Sequence, residues 1–224
     1  MEILVIGDIH NDVENIMNYA DKVSSLNFDA IVCPGDFTDV GLRGFSQAEI
    51  GKLIVAELKT FKRPIFAVPG NFDRDVVPIL EKEGISVHGK GLILNGVGFY
   101  GFGGAKTPFK TPLEPSEDEL RTGLQNGYEQ VRDAKFKVQI THNPAARTKM
   151  DFLYTGAHVG SEAVRKFIEE KRPDVAVSSH IHEARGVDEL GGTKLINPGR
   201  FPEGYCGIIT LNDNGCSVKV INLI

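Results

Sequence analysis

Residue types that commonly bind metal ions recur directly after short apolar segments of this chain. These segments lead into Gly-Asp-Ile-His at 7–10, Gly-Asp-Phe-Thr-Asp at 35–39, Gly-Asn-Phe-Asp at 70–73, His142-Asn143 and His180-Ile181-His182. Carboxylate, amide and imidazole groups are common protein ligands of divalent cations. Their recurrence predicts a metal site assembled from distant parts of the sequence.

Each of these signals is weak when it is taken alone. A Gly-Asp pair after a strand is usually a turn, and a lone histidine such as His142 is often a hydrogen-bonded polar residue at a strand end. His180 and His182 are two positions apart, so a regular strand would direct both side chains to one face, as chelation requires. The five segments together favour metal binding over coincidence.

The elements that must position these residues are short buried strands and the helices between them. Apolar runs predict strands at Glu2–Ile6, Asp29–Cys33, Pro64–Val68, Phe136–Thr141 and Asp174–Ser178. Helical periodicity marks the segments Val13–Val23, Ile50–Leu58 and Val164–Ile168. Alternating strands and helices predict an α/β protein with a partly parallel sheet, and the carboxyl ends of its strands would gather the polar residues at one edge.

Local signals predict where further helices, turns and loops lie. The spacing of Asn11 with Glu14, and of Ser116 with Glu119, is that of a capping box and predicts helix starts near Asp12 and Glu117. Hairpin turns are predicted within Leu190–Thr193 and Asn212–Gly215, and a further hairpin within Gly89–Gly104. The irregular segment Lys106–Pro115, with three prolines, is predicted to be a loop over the site.

Length and composition indicate an ordinary globular protein. A chain of 224 residues predicts a single domain over 1–224. The net charge of −5 argues against a protein that depends on neutralising nucleic-acid phosphates. The N-terminus lacks a basic leader and the chain lacks a long apolar run, so we expect a cytoplasmic protein with no membrane span. The three cysteines form no disulfide pattern, and buried apolar roles are expected for them.

The order Asp-x-His, Gly-Asp-x-x-Asp, Gly-Asn-x-Asp, His and His-x-His resembles that of the calcineurin-like metallophosphoesterase superfamily. The likeness extends from Asp8 to Gly199. The segments Gly103-Gly104, His158-Val159-Gly160-Ser161 and Asn197-Pro198-Gly199 are similar to those of small prokaryotic members. The resemblance implies a four-layer α/β/β/α sandwich with two mixed sheets flanked by helices.

The resemblance also implies a dinuclear metal centre. Asp8, His10 and His182 would hold one ion, Asn71, His142 and His180 the other, and Asp36 would bridge them. This mixture of oxygen and nitrogen ligands suits Mn, Fe or Zn. The implied reaction is hydrolysis of a phosphodiester, or of a phosphomonoester, by a hydroxide that bridges the metals. The residues with implied catalytic roles are Asp36, Asn71, Asp73 and His142, and the implied substrate is a small-molecule or nucleotide-like phosphoester.

The sequence departs from the superfamily pattern at Phe72, where a histidine that assists the leaving oxygen is common. Phe72 either leaves the enzyme without this acid or forms an apolar wall for a substrate ring. Arg200 either binds a substrate phosphate or is solvated, and His158 either reaches the substrate or serves as a cap or surface residue. The set predicted to bind substrate is therefore Asn71, Phe72, His158 and Arg200. Asp39 is expected to orient a ligand histidine.

Two other interpretations stay open at this point. A catalytically weak scaffold or interaction module of the same fold is the first, although all seven ligand positions are intact. A nuclease is the second, and the lack of a basic stripe disfavours it. The sequence does not determine the oligomeric state, and a homo-oligomer is one possibility.

Overall fold

The computed structural model describes residues 1–41 and 44–224. Within these ranges the strands are β1 (Glu2–Val5), β2 (Ala30–Cys33), β3 (Ile65–Ala67), β4 (Gly91–Leu94), β5 (Val97–Phe102), β6 (Phe136–Thr141), β7 (Val175–Val177), β8 (Gly186–Leu190), β9 (Thr193–Asn197), β10 (Tyr205–Asn212) and β11 (Gly215–Asn222). The α-helices are α1 (Val13–Asn18), α2 (Ala20–Ser25), α3 (Gln47–Lys59), α4 (Val77–Lys82), α5 (Glu117–Val131) and α6 (Glu162–Lys171). Short 3₁₀ helices follow several strands, at Asp73–Asp75, Lys149–Asp151, His182–Ala184 and Phe201–Glu203.

The strands form two mixed sheets. The first has the order β11-β10-β1-β2-β3 and the second has the order β4-β5-β6-β7-β9-β8. In each sheet the strands that lead into the candidate ligands run parallel, as do β1 with β2 and β6 with β7. Antiparallel strands flank these parallel sets, with β10 paired to β1 and β8 paired to β9. The parallel strands bring their carboxyl ends to one edge of each sheet.

Three hydrophobic cores separate four layers of secondary structure. Along β1 the side chains alternate, so that Ile3 and Val5 pack between the sheets and Leu4 packs toward the outer helices. Helix α3 covers the first sheet through Ile54 and its neighbours. Helices α5 and α6 cover the second sheet in the core that contains Leu124. The predicted α/β/β/α sandwich is therefore confirmed.

The five strands predicted from apolar runs are confirmed as β1, β2, β3, β6 and β7, with small differences at their ends. The hairpin turns at Gly191-Gly192 and Asp213-Asn214 are also confirmed, because they join β8 to β9 and β10 to β11. A third turn, at Asn95-Gly96, joins β4 to β5.

Helices begin near Asp12 and at Glu117, as predicted, but only one of the two predicted capping boxes forms. Ser116 and Glu119 form a capping box at the start of α5, as predicted. The box predicted for Asn11 is wrong, because Asp12 caps α1 and its side chain accepts a hydrogen bond from the backbone of Asn15. The Asn11 side chain instead accepts from the backbone N–H of Asp39, at 3.1 Å. The continuous helical face predicted for Val13–Val23 is interrupted at Tyr19, where α1 ends before α2 begins.

The thiols and the proline-rich segment complete the description of the fold. Cys33 and Cys206 are buried free thiols, and Cys216 is a partly buried free thiol. Across residues 1–41 and 44–224, none of the helices combines the length and apolar character needed to cross a bilayer. The segment Lys106–Pro115 has no helix or strand, and its Leu113 N–H donates to the Asn71 carbonyl at 2.9 Å.

Candidate metal centre

The loops after β1, β2, β3, β6 and β7 meet at one end of the two sheets. Two groups of possible ligand atoms gather there, each with its atoms within 4.8 Å of one another. The first group is Asp8, His10 and His182, and the second is Asp36, His142 and His180. The structure therefore brings together six of the seven predicted ligands in two sets of three.

In the first group, two imidazoles and a carboxylate face a common point. His10 Nε2 lies 3.0 Å from His182 Nε2, and His182 Nε2 lies 3.7 Å from Asp8 Oδ2. Asp8 is completely buried, yet its Oδ2 atom has no hydrogen-bond partner among the described residues. A buried carboxylate oxygen without a partner is unfavourable, so this atom suits a cation.

Asn71, the seventh predicted ligand, lies beside the second group and contacts the imidazole of His142. His142 Nε2 lies 3.0 Å from Asn71 Oδ1 and 3.3 Å from Asp36 Oδ2. The same Asp36 oxygen lies 3.9 Å from His10 Nε2 in the first group. Asp36 therefore lies between the two groups, where a bridging ligand would have to be.

Hydrogen bonds behind the rings direct the Nε2 atoms of two histidines into the cluster. His10 Nδ1 contacts Asp39 Oδ1 at 2.6 Å. His142 Nδ1 contacts the Pro34 carbonyl at 2.9 Å and Ser179 Oγ at 3.0 Å. Metal-binding histidines commonly use their second nitrogen in this way, which fixes the tautomer and the ring orientation.

The backbone of the site is unusual at the ligands themselves. Asp8, His10, Asp36 and His180 have φ values of 49°, 51°, 51° and 70°. Residues with side chains rarely adopt this left-handed conformation, and it costs free energy that the surrounding structure must offset. Ligand residues are thus held in positions that local sequence preference would disfavour.

A close approach of two loops positions Asp36. A Cβ atom at Gly70 would lie 1.9 Å from Asp36 Oδ1 and 2.2 Å from the Asp36 backbone nitrogen. Only glycine leaves the space for this contact. Gly35 faces Gly70 across the same approach, where its own added Cβ would lie 2.6 Å from the Gly70 nitrogen.

The carboxylates and imidazoles of the cluster strongly perturb one another. Burial raises the pKa of Asp8 to about 6, and the neighbouring Asp36 adds to this increase. Burial also opposes ionisation of Asp36, but the charge and hydrogen bond of His142 outweigh it and lower its pKa to about 2. Burial lowers the pKa of His180 to about 3 and that of His182 to about 4. Burial opposes protonation of His142 and His10 as well, but the nearby carboxylates outweigh it, so the pKa of His142 rises to about 9 and that of His10 also rises. His180 and His182 are thus already in the neutral form that binds metal, whereas a metal ion would displace a proton from His142 and His10.

The donor set therefore fits a pair of divalent cations. The seven side chains supply both oxygen and nitrogen atoms. The Asp8 oxygen without a hydrogen-bond partner and the oriented Nε2 atoms of His10 and His142 are available to bind a cation. Such mixed sets favour transition metals over calcium or magnesium.

Comparison with known proteins gives the family. A family model described as calcineurin-like phosphoesterase matches residues 1–184. This chain belongs to the calcineurin-like phosphoesterase family. An uncharacterised protein of Methanocaldococcus jannaschii, MJ1162, is 33% identical over 215 residues, which cover 92% of this chain and 90% of the relative.

Solved structures share the fold of this chain at low sequence identity. The protein TT1561 of Thermus thermophilus has a TM-score of 0.74 at 17% identity, with 100% of this chain and 99% of that chain covered. A dimetal phosphatase from Danio rerio has a TM-score of 0.67 at 12% identity, with coverage of 100% and 96%. A putative 5′-nucleotidase from Staphylococcus aureus has a TM-score of 0.64 at 14% identity, and this chain spans 54% of its length.

Asp73, for which a catalytic role was predicted, is fully buried behind the cluster. One carboxylate oxygen accepts from the backbone N–H groups of Phe37 and Gly70, at 3.0 and 2.7 Å. The other accepts from the backbone N–H and the hydroxyl of Thr38, both at 2.9 Å. These bonds join the loops that carry Asp36 and Asn71, so the contacts of Asp73 are those of a positioning residue.

Three of the residues predicted to bind substrate differ in how they contact their surroundings. Phe72 is half-buried, and its backbone N–H donates to Asp36 Oδ1 at 3.4 Å. Arg200 donates to Glu203 at 3.0 Å, while its buried Nε has no partner among the described residues. His158 belongs to neither ligand group. Its Nδ1 instead contacts the buried carboxylate of Asp151 at 2.7 Å.

Sequence reasoning missed several residues that support the site. Gln47 donates to the carbonyl oxygens of Asp39 and Phe72 and so connects α3 to two of the site loops. Asp151 was also missed, although its capping-box spacing with Thr148 is visible in the sequence. The close approach at Gly70 has only the Pro69-Gly70 pair as a signal, and many turns share that signal.

Proposed function

We propose that this chain is a metal-dependent phosphoesterase with two divalent ions at its active site. The proposed ligands are Asp8, His10, Asp36, Asn71, His142, His180 and His182. The observation that carries the proposal is the pair of adjacent three-residue ligand groups, in which Asp36 of the second group also approaches His10 of the first. Family membership supports the same reaction class.

When bound, two such ions would polarise the phosphoryl oxygens and lower the pKa of water toward neutrality. The chain's own residues then have separate tasks. His10 and His142 are held from behind by Asp39 and Pro34, which keeps their Nε2 atoms toward the cluster. Asp73 holds the Asp36 loop in place and does not reach the substrate, because both of its oxygens already accept hydrogen bonds.

The proposed substrate is a small or nucleotide-like phosphodiester, with a monoester as the less favoured alternative. A diester carries one negative charge and needs fewer cationic side chains around the pocket than a monoester. Phe72 supplies no proton to a leaving group, so esters with activated or phenolic leaving groups should react faster than alkyl esters. Asn71, Phe72, His158 and Arg200 are the proposed substrate contacts.

The decisive experiment compares two chromogenic esters under controlled metal content. Bis-p-nitrophenyl phosphate and p-nitrophenyl phosphate are each assayed with added Mn²⁺, Zn²⁺ or Fe²⁺ and again after chelation. We expect metal-dependent hydrolysis with the diester preferred. Because loss of a residue that merely supports a ligand typically costs about 10- to 100-fold, we expect Asp36→Asn, which changes a ligand itself, to lose roughly 100-fold or more. Asp133→Asn, at an exposed carboxylate far from the cluster, is the matched control. Absence of hydrolysis with every metal would reject the proposal.

A further inference from the structure

A cavity is lined by residues that follow the ligands His142 and His182 in the sequence, and of its lining only His158 has been named above as a proposed substrate contact. Its volume is about 450 Å³, within the range of small-molecule sites. One wall begins at Glu183, the residue directly after the ligand His182. The opposite wall is the segment 147–158, and the Tyr154 N–H donates to the Glu183 carboxylate and so connects the two walls.

A buried carboxylate gives this cavity a fixed shape and one fixed polar group. Asp151 is completely buried and accepts from the backbone N–H groups of Arg147, Thr148 and Gly160, at 2.9, 2.8 and 3.0 Å. The same carboxylate contacts His158 Nδ1 at 2.7 Å. His158 lines the cavity, and its Nε2 makes no hydrogen bond to another described residue. The imidazole is therefore oriented with one nitrogen available to a ligand.

Exposed aromatic side chains form much of the remaining lining. Phe152 is 46% exposed and Tyr154 is 87% exposed, although large aromatic side chains are usually more buried than this. Val187 on β8 adds a third apolar side chain, 44% exposed. The Phe152 ring also lies 5.1 Å from the His158 ring, which places the aromatic surface beside the available nitrogen.

The charged residues of the cavity largely offset one another. Arg147 pairs with Glu162, and Lys149 Nζ lies 3.9 Å from Asp188. Arg185 stacks on the Tyr205 ring at 3.6 Å, and Glu183 on the same wall balances its charge. The cavity therefore offers no surplus of positive charge for a second phosphate, and an uncharged aromatic group suits it better.

We infer that this cavity binds the base of a nucleoside-sized aromatic group, with stacking on Phe152 and Tyr154 and a hydrogen bond at His158 Nε2. This assignment rests on the proposed phosphoesterase function, because it names the part of the substrate that lies beside the reacting phosphate. A cavity of about 450 Å³ is larger than a single phenyl ring needs. Stacking surfaces of this kind accept any base, with little preference among them.

The test measures adenosine binding to the full-length, metal-loaded protein by calorimetry, with ribose as the control ligand. Adenosine carries no phosphate, so its binding does not depend on hydrolysis. We expect adenosine but not ribose to bind, and Phe152→Ala and Tyr154→Ala each to weaken binding about 10-fold. His158→Asn keeps a polar atom near the position of Nδ1 but none at the position of Nε2, so it should weaken binding about 5-fold through the lost hydrogen bond. Tyr154 is so exposed that its truncation removes little packing, and Ile93→Ala on the distant strand β4 is a control of similar exposure.

The possible outcomes separate this inference from the proposed function. No adenosine binding, or equal affinity in wild type and all three cavity variants, would overturn the inference even if phosphodiesters are hydrolysed. Binding that the cavity variants weaken, in a protein that hydrolyses no ester, would leave the cavity assigned and reject the phosphoesterase proposal. Weakened binding in Ile93→Ala to the same extent would also count against the cavity.

Discussion

Single residues in this site act largely through their neighbours. His10 would bind metal through Nε2, yet the orientation of its ring depends on the contact between Nδ1 and Asp39. Asp39 is partly exposed and its N–H is held by Asn11, so it can be replaced without opening the core. This separation allows the supporting contact to be tested apart from the ligands.

We predict that Asp39→Asn weakens metal binding about 10- to 100-fold, because the His10 ring loses its negatively charged partner. Calorimetric titration with Mn²⁺ would measure the change. The exposed Asp133→Asn variant should bind as tightly as wild type. An unchanged affinity in Asp39→Asn would show that the ring needs no such support.

Phe72 allows a second test at the same scale. We predict that Phe72→His raises the rate on an alkyl phosphodiester such as glycerophosphocholine by about 10²-fold, because the imidazole can protonate the leaving oxygen. The rate on bis-p-nitrophenyl phosphate should change little, since its leaving group needs no proton.

Phe72→Ala distinguishes the two interpretations of this position. If Phe72 matters only because it is not a proton donor, Phe72→Ala should leave the rates on both substrates unchanged. If the ring forms a wall for the substrate, Phe72→Ala should raise KM for the aryl ester. An unchanged alkyl rate in Phe72→His would remove support for the missing-acid interpretation.

At the scale of elements, the loops after β2 and β3 form one unit. Asp73 joins them by hydrogen bonds, and Gly70 lets the Asp36 carboxylate approach the neighbouring backbone. The ligands of the first sheet therefore depend on loop packing as much as on strand order.

We predict that Gly70→Ala lowers metal affinity more than about 100-fold and destabilises the fold by about 2–4 kcal/mol, because its Cβ would overlap Asp36. Metal titration and chemical denaturation would measure the two effects. Ser116→Ala is the control: loss of the capping box on α5 should destabilise the fold by about 1 kcal/mol and leave metal affinity unchanged. Equal metal affinity in both variants would contradict the proposed role of the glycine.

The same elements show what the sequence could and could not predict. Strands such as β1 and β2 were predictable because buried parallel strands appear as continuous apolar runs. The left-handed conformations of Asp8 and Asp36 were not, since they result from tertiary contacts that oppose local preference. The cap at Asp12 was misplaced for a related reason, because Asn11 is engaged by Asp39 across the loop.

At the scale of the whole molecule, the candidate site spans both sheets. Loops of the first sheet supply Asp8, His10, Asp36 and Asn71, and loops of the second supply His142, His180 and His182. The core between the sheets, with Phe66 stacked on Phe99 at 3.8 Å, therefore sets the distance between the two halves of the site. Motif order alone predicted which residues meet, but only this packing brings them within bonding distance.

His88 gives the stability of the fold a pH dependence of its own. Burial lowers the pKa of His88 to about 4, from an unfolded value near 6.5. Between these values the unfolded chain binds a proton that the folded chain does not, so the free energy of unfolding falls as the pH falls from about 6.5 to about 4.

We predict that His88→Asn reduces this loss by about 2 kcal/mol, because the amide oxygen can take the place of Nδ1 as acceptor from the Gly103 N–H but does not titrate. Urea denaturation of both proteins at about pH 7 and about pH 4.5 measures the difference. Comparison of the two proteins at each pH cancels contributions from other histidines. Parallel stability curves would show that His88 is not protonated on unfolding.

Metal binding should connect the two sheets energetically, because each ligand group contains residues from both. A metal that binds only the folded chain stabilises it by about 2.7 kcal/mol at 100 times its Kd. For a chain of this size we therefore predict that chelation lowers Tm by about 5–10 °C. Calorimetric scans with Mn²⁺ and with chelator measure the shift. Asp36→Asn, which lacks the ligand between the groups, should show a much smaller shift, and an equal shift would mean that the ions bind elsewhere.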